Sequence, residues 1–333
     1  MQAKRLDDIS ILRVFSILVV VLFHCYGMMY ADAHFPKTAS AYNDIYFIPN
    51  QCIFISVAMP LFIFISGYLF IHLLQLGKYP TWRNLLRKKG LRILVPYFVF
   101  GLFFMVTTGN WHPLRLFNGG YWHLWFLPML FWCFITGYGA YKAKLNIYTE
   151  TILLLTAFVG TFTTKFLPTW MGVHYITRWF YWFYLGMMVY KYKDTLYHYI
   201  KKYKLHLYLL VFYGIVTCIH PVEYGEDKWY SNFAVTGCII SIIYMMDKVD
   251  WSKAKLTASL VKFSSYSFGI YIWHNWVALM LISNTSKQMF GLPTLAANHI
   301  ILFPLCFSLL TLVISWFLSW CMIKTKIGRF LIG

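Results

Sequence analysis

The residues best suited to chemistry are Arg13 and His24, which lie eleven positions apart in the first apolar stretch, Ile9 to Tyr30. Eleven helical steps of 100° return to within about 20° of the same face and rise about 16 Å, so one helix presents both groups along one stripe. An ionisable residue inside a membrane is costly and marks a functional site by default. Alternatively, Arg13 reaches the headgroups and His24 hydrogen-bonds a neighbouring helix. The spacing alone leaves both interpretations open.

Histidine is the proton-exchanging side chain that the apolar segments supply. All eleven acidic residues fall in loops or at the ends of predicted helices, which disfavours transporters that couple to ions through a buried carboxylate. A neutral histidine can take the proton from an attacking hydroxyl, and an arginine on the same face can hold an anionic donor or stabilise negative charge. The histidines in or near the predicted spans are His24, His72, His123, His174, His220, His274 and His299.

A basic run follows the second apolar segment, with six Lys and Arg residues between Lys78 and Arg92. Arginine forks match phosphate oxygens well, so this connection predicts a site for a phosphorylated cytoplasmic cofactor. The alternative is a topology signal that touches anionic lipid headgroups.

Two further segments carry histidine among aromatic rings. The stretch Tyr121 to Pro128 contains His123 and Trp125, which suits either an interfacial aromatic belt or a saccharide site where rings stack on sugars. His274 lies about eleven residues into the ninth apolar segment, near the membrane midplane. Interhelical hydrogen bonding explains His274 as well as catalysis does.

The chain as a whole is 60% hydrophobic, 21% aromatic and only 12% charged, a composition outside the range of soluble domains. We predict an all-α polytopic membrane protein with both termini in the cytoplasm and a single domain over residues 1–333. About ten transmembrane helices are expected, near residues 9–30, 46–76, 91–109, 122–141, 150–166, 171–190, 205–220, 229–246, 263–284 and 297–323.

The net charge of +18 reflects membrane topology. With a cytoplasmic N-terminus, most of the 29 basic residues fall in inside segments, as the positive-inside rule requires. We therefore expect the inner (cytoplasmic) membrane as the location, and no nucleic-acid partner. Zinc-ligand spacings and glycine-rich phosphate loops are absent from the sequence, so no metal is expected, and the seven cysteines are interpreted as packing residues.

Several local patterns together resemble the membrane-bound acyltransferase 3 family of polytopic O-acyltransferases. They occur in the family's order across most of the chain. They are Arg13 with His24, Met59 to Tyr68 (MPLFIFISGY), Arg92 to Tyr97 (RILVPY), His123 to Leu127 (HLWFL), and Ser265 to Ser267 through Tyr271 to His274.

The resemblance implies an acyl-CoA donor that enters from the cytoplasm, with His24 as the catalytic residue and Arg13 as its essential support. The family's R-x-x-R pair falls on Lys89 and Arg92, which are then expected to bind the CoA phosphates together with Arg87. Acetyl-CoA is the first choice of donor, and succinyl-CoA the second. Direct transfer and a covalent acyl-histidine both stay open.

The acceptor implied by the resemblance is a hydroxyl of a cell-surface or lipid-linked glycan, as in the short members without an extra soluble domain. The residues assigned to the acceptor and its path are His123, Trp125, Ser66, Tyr271 and His274.

Two positions depart from the family pattern. Lys89 stands where the pair has arginine, which keeps the charge and loses the bidentate fork, so Lys89 is the weaker ligand. Ser10 stands three residues before Arg13, where many relatives carry aspartate.

Two other functions compete with acyl transfer. Ten helices with aromatic residues near their ends also suit a transporter or flippase of a saccharide or lipid-linked saccharide. Such a protein would show no acyl-CoA turnover. A haem protein with His24 and His274 as axial ligands is the third alternative.

Overall fold

The computed structural model describes residues 7–28, 56–162, 167–219, 229–253, 255–283, 291–299 and 302–333. Within these residues the chain is helical, with one isolated β-bridge between Asn118 and Trp170 and no strand. The α-helices are Asp7–Tyr26 (α1), Ser56–Gln75 (α2), Trp82–Lys89 (α3), Val95–Thr107 (α4), Phe126–Lys142 (α5), Ile147–Gly160 (α6), Tyr175–Lys191 (α7), Lys193–Tyr203 (α8), Leu205–Ile219 (α9), Trp229–Lys248 (α10), Thr257–Ser264 (α11), Ser267–Ile282 (α12), Leu292–Asn298 (α13), Leu302–Lys324 (α14) and Lys326–Ile332 (α15).

A helix lies at each of the ten predicted positions, with ends shifted by a few residues. Of the residues expected in these helices, 29–30, 46–55, 163–166, 220, 284 and 300–301 lie outside what the structure describes. Among the described helices, six are long and apolar enough to cross a membrane, or seven if the pair α8 and α9, bent by 80°, counts as one span. The all-helical membrane class is confirmed, whereas ten crossings and cytoplasmic termini stay predictions.

The basic run is mostly helical, which shortens the predicted connection. The Thr81 hydroxyl caps α3 by accepting a hydrogen bond from the Asn84 amide at 3.2 Å. A π-helical segment, Gly90–Leu94, then joins α3 to α4, with the Val95 amide bonded to the Gly90 carbonyl. Arg92 therefore projects from a widened turn inside one continuous helix over 82–107.

The chain divides into two compact units. Unit 1 comprises residues 1–59, 209–226 and 234–333, and in it α1, α12 and α14 pack against one another. The face of α14 that is buried carries Ser308, Thr311, Ser315 and Ser319. Gly269 of α12 meets this face, since a Cβ there would lie 2.8 Å from the Ser319 Cβ. Small residues thus bring the helices close, as in many membrane bundles.

Unit 2 comprises residues 60–208 and 227–233, and α7 packs against α5 and α6 in it. Two glycines set a backbone contact between α2 and α7. A Cβ on Gly67 would collide with the Phe183 carbonyl, and a Cβ on Gly186 would collide with the Phe64 carbonyl. The expectation of a single domain stays a prediction.

Candidate active site

His24 and His274 lie side by side in unit 1. His24 is in the last turn of α1 and His274 is in the middle of α12, and their ring centroids are 5.0 Å apart at an angle of 52°. The His274 side chain is fully buried, whereas His24 is half-buried. Packing of α1 on α12 therefore joins two histidines that are distant in sequence.

The orientation of His274 is fixed by its own helix. Its Nδ1 lies 3.1 Å from the carbonyl oxygen of Ile270, one turn earlier. A carbonyl only accepts, so Nδ1 carries the proton and Nε2 is the nitrogen able to accept one. The Tyr271 ring lies 5.9 Å from the His274 ring, which brings three of the predicted site residues together.

Arg13 lies three turns before His24 on the same helix. Because α1 is continuous over Asp7–Tyr26, the two Cα atoms are separated by a rise of about 16 Å along the helix. Arg13 is half-buried, and no hydrogen bond or salt bridge from it occurs within the described part of the chain. Its guanidinium is accordingly available to an anionic group.

The basic run lies in unit 2, where aromatic rings surround Lys89. The Lys89 Nζ is 3.4 Å from the centroid of Phe134, 5.3 Å from that of Tyr79 and 5.6 Å from that of Phe70. This geometry favours cation–π contacts. Arg87 and Arg92 are exposed instead. Their guanidinium groups are therefore more accessible to a phosphate than the ammonium group of Lys89.

The segment before α3 is tied to α5. The Tyr138 hydroxyl donates to the Tyr79 carbonyl at 3.0 Å, and Lys142 donates to the Pro80 carbonyl at 3.2 Å. Burial raises the pKa of the Tyr79 hydroxyl, and the nearby positive charge of Arg92 offsets part of this rise. These contacts hold the basic run at the C-terminal end of α5.

His123 and Trp125 lie at the opposite end of α5, in the 3-10 turn Trp122–Trp125. His123 is only 4% exposed, and its ring packs 5.9 Å from that of Phe104. Gly120 has φ +95°, and a Cβ there would lie 2.7 Å from the Trp125 Cα. Only glycine fits this close approach, which sets the backbone of the turn.

Sequence reasoning missed an aromatic cluster around Trp125. Its ring lies 4.6 Å from that of Tyr175 and 5.7 Å from that of Trp179, while His174 lies 3.9 Å from Tyr175. Trp179 Nε1 and His174 Nδ1 are buried and lack a hydrogen-bond partner among the described residues. Rings with nearby polar atoms are suited to a saccharide. The density of aromatic residues over 170–184 was the available signal.

Ser66 is occupied locally. Its hydroxyl donates to the Phe62 carbonyl, one turn earlier on α2, at 3.0 Å. The adjacent Gly67 makes the backbone contact with α7 described above, so packing explains part of the Ser66-Gly67-Tyr68 motif.

The predicted site residues thus form groups within the units. Arg13, His24, Tyr271 and His274 belong to unit 1, whereas Ser66, Arg87, Lys89, Arg92, His123 and Trp125 belong to unit 2. Direct contact of the two imidazole rings leaves no space for a porphyrin between them, which disfavours the haem alternative. Among the described residues no group of three His, Cys, Asp or Glu side chains is suited to a metal ion.

Comparison with known proteins agrees with the membrane helices and the motifs. A family model described as an acyltransferase domain, that of acyltransferase 3, matches residues 6–320 of the 333. No curated protein and no solved structure gave a significant match. Since the matched range covers nearly all of the chain, including both units, this multi-pass membrane protein belongs to the acyltransferase 3 family.

Proposed function

We propose that this acyltransferase moves an acyl group from cytoplasmic acyl-CoA to a hydroxyl of a cell-surface or lipid-linked glycan at the inner membrane. Acetyl is the first choice of acyl group, and succinyl is the second. The observation that carries the proposal is the contact between His24 and His274 on two packed membrane helices, in a chain of this family.

In the proposed reaction, His24 removes the proton from the acceptor hydroxyl as its oxygen attacks the thioester carbonyl. The carbon–sulfur bond then breaks, and the departing CoA sulfur takes the proton from His24. Products are the ester and CoA with a free thiol. General base catalysis of this kind contributes about 10²–10⁴-fold in rate.

His274 acts through His24 in this scheme. Its Nδ1 is committed to Ile270, so its ring is held in one orientation against the His24 ring. It is therefore a positioning residue that restricts the catalytic imidazole. Arg13 lies about 16 Å from His24 along the same helix, so its guanidinium is suited to an anionic part of the donor away from the reacting carbonyl.

For the donor we propose Arg92 and Arg87 as the main phosphate ligands. Both are exposed arginines, and bidentate forks suit phosphate. Lys89 also supplies a positive charge, but it contributes less to the binding of phosphate than the arginines do. The reason is that Phe134, Phe70 and Tyr79 already surround its ammonium group.

For the acceptor we propose Trp125 as the stacking surface, together with Tyr175 and Trp179. Buried His123 supports the turn that presents Trp125. Direct contact of His123 with the acceptor is its second proposed role. Ser66 and Tyr271 are kept as residues of the acceptor path, whereas His274 is proposed to act on His24 as described above.

The decisive experiment is thioester turnover by purified protein in lipid nanodiscs, with acetyl-CoA and succinyl-CoA offered separately. His24→Ala, Arg13→Ala and His72→Gln are assayed beside the wild type. His72 is the matched span histidine, because its Nδ1 lies 2.7 Å from the Tyr190 hydroxyl and glutamine retains a hydrogen-bonding group. We expect CoA release to fall about 10²–10⁴-fold in the first two variants and to be retained in the third.

The proposed donors would be contradicted if folded wild-type protein neither released CoA from acetyl-CoA and succinyl-CoA nor bound either compound. The transporter alternative would then predict saccharide uptake into proteoliposomes that His24→Ala leaves unchanged.

A further inference from the structure

Unit 2 contains a second candidate site, a cavity of about 470 Å³ at the C-terminal end of α5. It lies between the ends of four helices, namely α2, α5, α6 and α7. The charge distribution of the sequence predicts that this end faces the cytoplasm. None of the residues assigned above to the donor or the acceptor lines this cavity.

The charged residues of the cavity lining give it a net positive charge. Lys142, Lys144 and Lys191 line it together with a single acidic residue, Glu150. Asn146 caps α6 by accepting a hydrogen bond from the Thr149 amide at 2.9 Å, which places Glu150 in the first turn. A carboxylate is favoured there by the helix dipole.

The charge of Glu150 is neutralised locally. Lys191 Nζ lies 2.9 Å from each of its carboxylate oxygens, and the Tyr192 hydroxyl donates to one of them at 2.6 Å. Burial and the hydrogen bond with Glu150 raise the pKa of Tyr192, so its hydroxyl stays protonated as a donor. The carboxylate therefore cancels Lys191 and leaves the charge of the other two lysines.

Lys144 is the cation best placed for a ligand. It is exposed in the turn between α5 and α6, and it forms no salt bridge within the part of the chain that is described. Lys142, in contrast, already donates to the Pro80 carbonyl.

Another part of the lining is apolar, with Ile71, Leu145, Met187 and Met188. A ligand that satisfies both parts of the lining has an anionic head and a hydrocarbon part. Flexible methionine side chains adapt to chains of varied shape. The cavity lies at helix ends, where lipid headgroups are expected.

We propose that this cavity binds an anionic phospholipid, with the phosphate held by Lys144 and the start of an acyl chain lying on Met187 and Met188. A soluble phosphate ester carries the same phosphate group. It lacks the acyl chain that contacts the apolar part of the lining, so the cavity is expected to prefer the lipid. The Glu150–Lys191 pair limits the positive charge of the site and so tunes its affinity.

The test is native mass spectrometry of the full-length protein in neutral detergent, with phosphatidylglycerol or phosphatidylcholine added. The wild type is expected to retain one phosphatidylglycerol in preference to phosphatidylcholine. Lys144→Gln removes the charge and should lower retention about tenfold, since a charge-assisted contact is lost. Glu150→Gln releases the charge of Lys191 and should raise retention severalfold.

The opposite signs of these two neighbouring substitutions separate a binding effect from loss of fold. Lys201→Ala is the matched control, because Lys201 is an exposed lysine on α8 that does not line the cavity. This variant should retain as much phosphatidylglycerol as the wild type. Glycerol phosphate, which has the headgroup chemistry without acyl chains, is the competitor.

Three results would overturn the proposal. They are equal retention of the two lipids, unchanged retention in Lys144→Gln, and displacement of the lipid by millimolar glycerol phosphate. The last result would assign the cavity to a soluble phosphate ester.

Discussion

The imidazole ring of His24 contacts that of His274 with the centroids 5.0 Å apart, and the second ring is anchored to its own helix through Ile270. His24 is half-buried and His274 is fully buried, so in the proposed mechanism the former meets the substrate and the latter restricts its motion. Loss of either residue should therefore affect one shared function.

We predict that His274→Ala lowers kcat about tenfold or more while KM for acyl-CoA stays unchanged, because the catalytic imidazole loses its support. In a His24→Ala background the same substitution should cause no further loss, since residues that act as a unit are not additive. Steady-state kinetics of the two single variants and the double variant measure this. Additive losses would mean that the two histidines act independently.

Arg92→Ala should weaken acyl-CoA binding about tenfold, because a charge-assisted phosphate contact is removed. Arg83→Ala is the control, as Arg83 is an exposed arginine of the same helix with no assigned role. Isothermal titration with a non-hydrolysable acyl-CoA analogue reports both affinities. Equal affinity of the Arg92 variant and the wild type would remove the basic run from the donor site.

Trp125→Ala should lower kcat/KM for the acceptor about tenfold, since a stacking surface is lost, and leave acceptor-independent CoA release unchanged. Trp111, which is 55% exposed in the preceding connection, provides the matched tryptophan control. His123→Ala should impair acceptor use chiefly through the turn, so it should also lower thermal stability. Unchanged acceptor kinetics in both Trp125→Ala and His123→Ala would assign this turn to an interfacial belt.

Gly67→Ala should lower the unfolding free energy by about 1–3 kcal/mol or more, because the new methyl group meets the Phe183 carbonyl. Gly214→Ala is the matched substitution in α9, where a Cβ would meet nothing within 4 Å, and its stability should be unchanged or slightly raised. Thermal unfolding of the two variants in detergent compares them. Equal midpoints would show that α2 and α7 can move apart at no cost.

The helices were predictable because an apolar run of sufficient length is a local property of the sequence. The shared face of Arg13 and His24 follows from helix geometry for the same reason. The neighbours of these residues depend on tertiary packing, so no spacing rule brings His274 to His24. The rings around Lys89 come from α2, α5 and the connection at Tyr79, and Tyr175 and Trp179 reach Trp125 from another helix.

The π-segment Gly90–Leu94 has a consequence for insertions and deletions in this part of the chain. A π-turn holds one more residue than an α-turn over the same contact, so the helix over 82–107 contains a residue that regular geometry would omit. A single-residue deletion in this segment would therefore restore an ordinary α-helix and leave the turns on either side in nearly the same relative orientation, whereas a deletion elsewhere in the helix would rotate them by about 100°. The π-segment is thus the part of 82–107 in which one residue can be lost without redirecting the basic turns relative to the apolar ones.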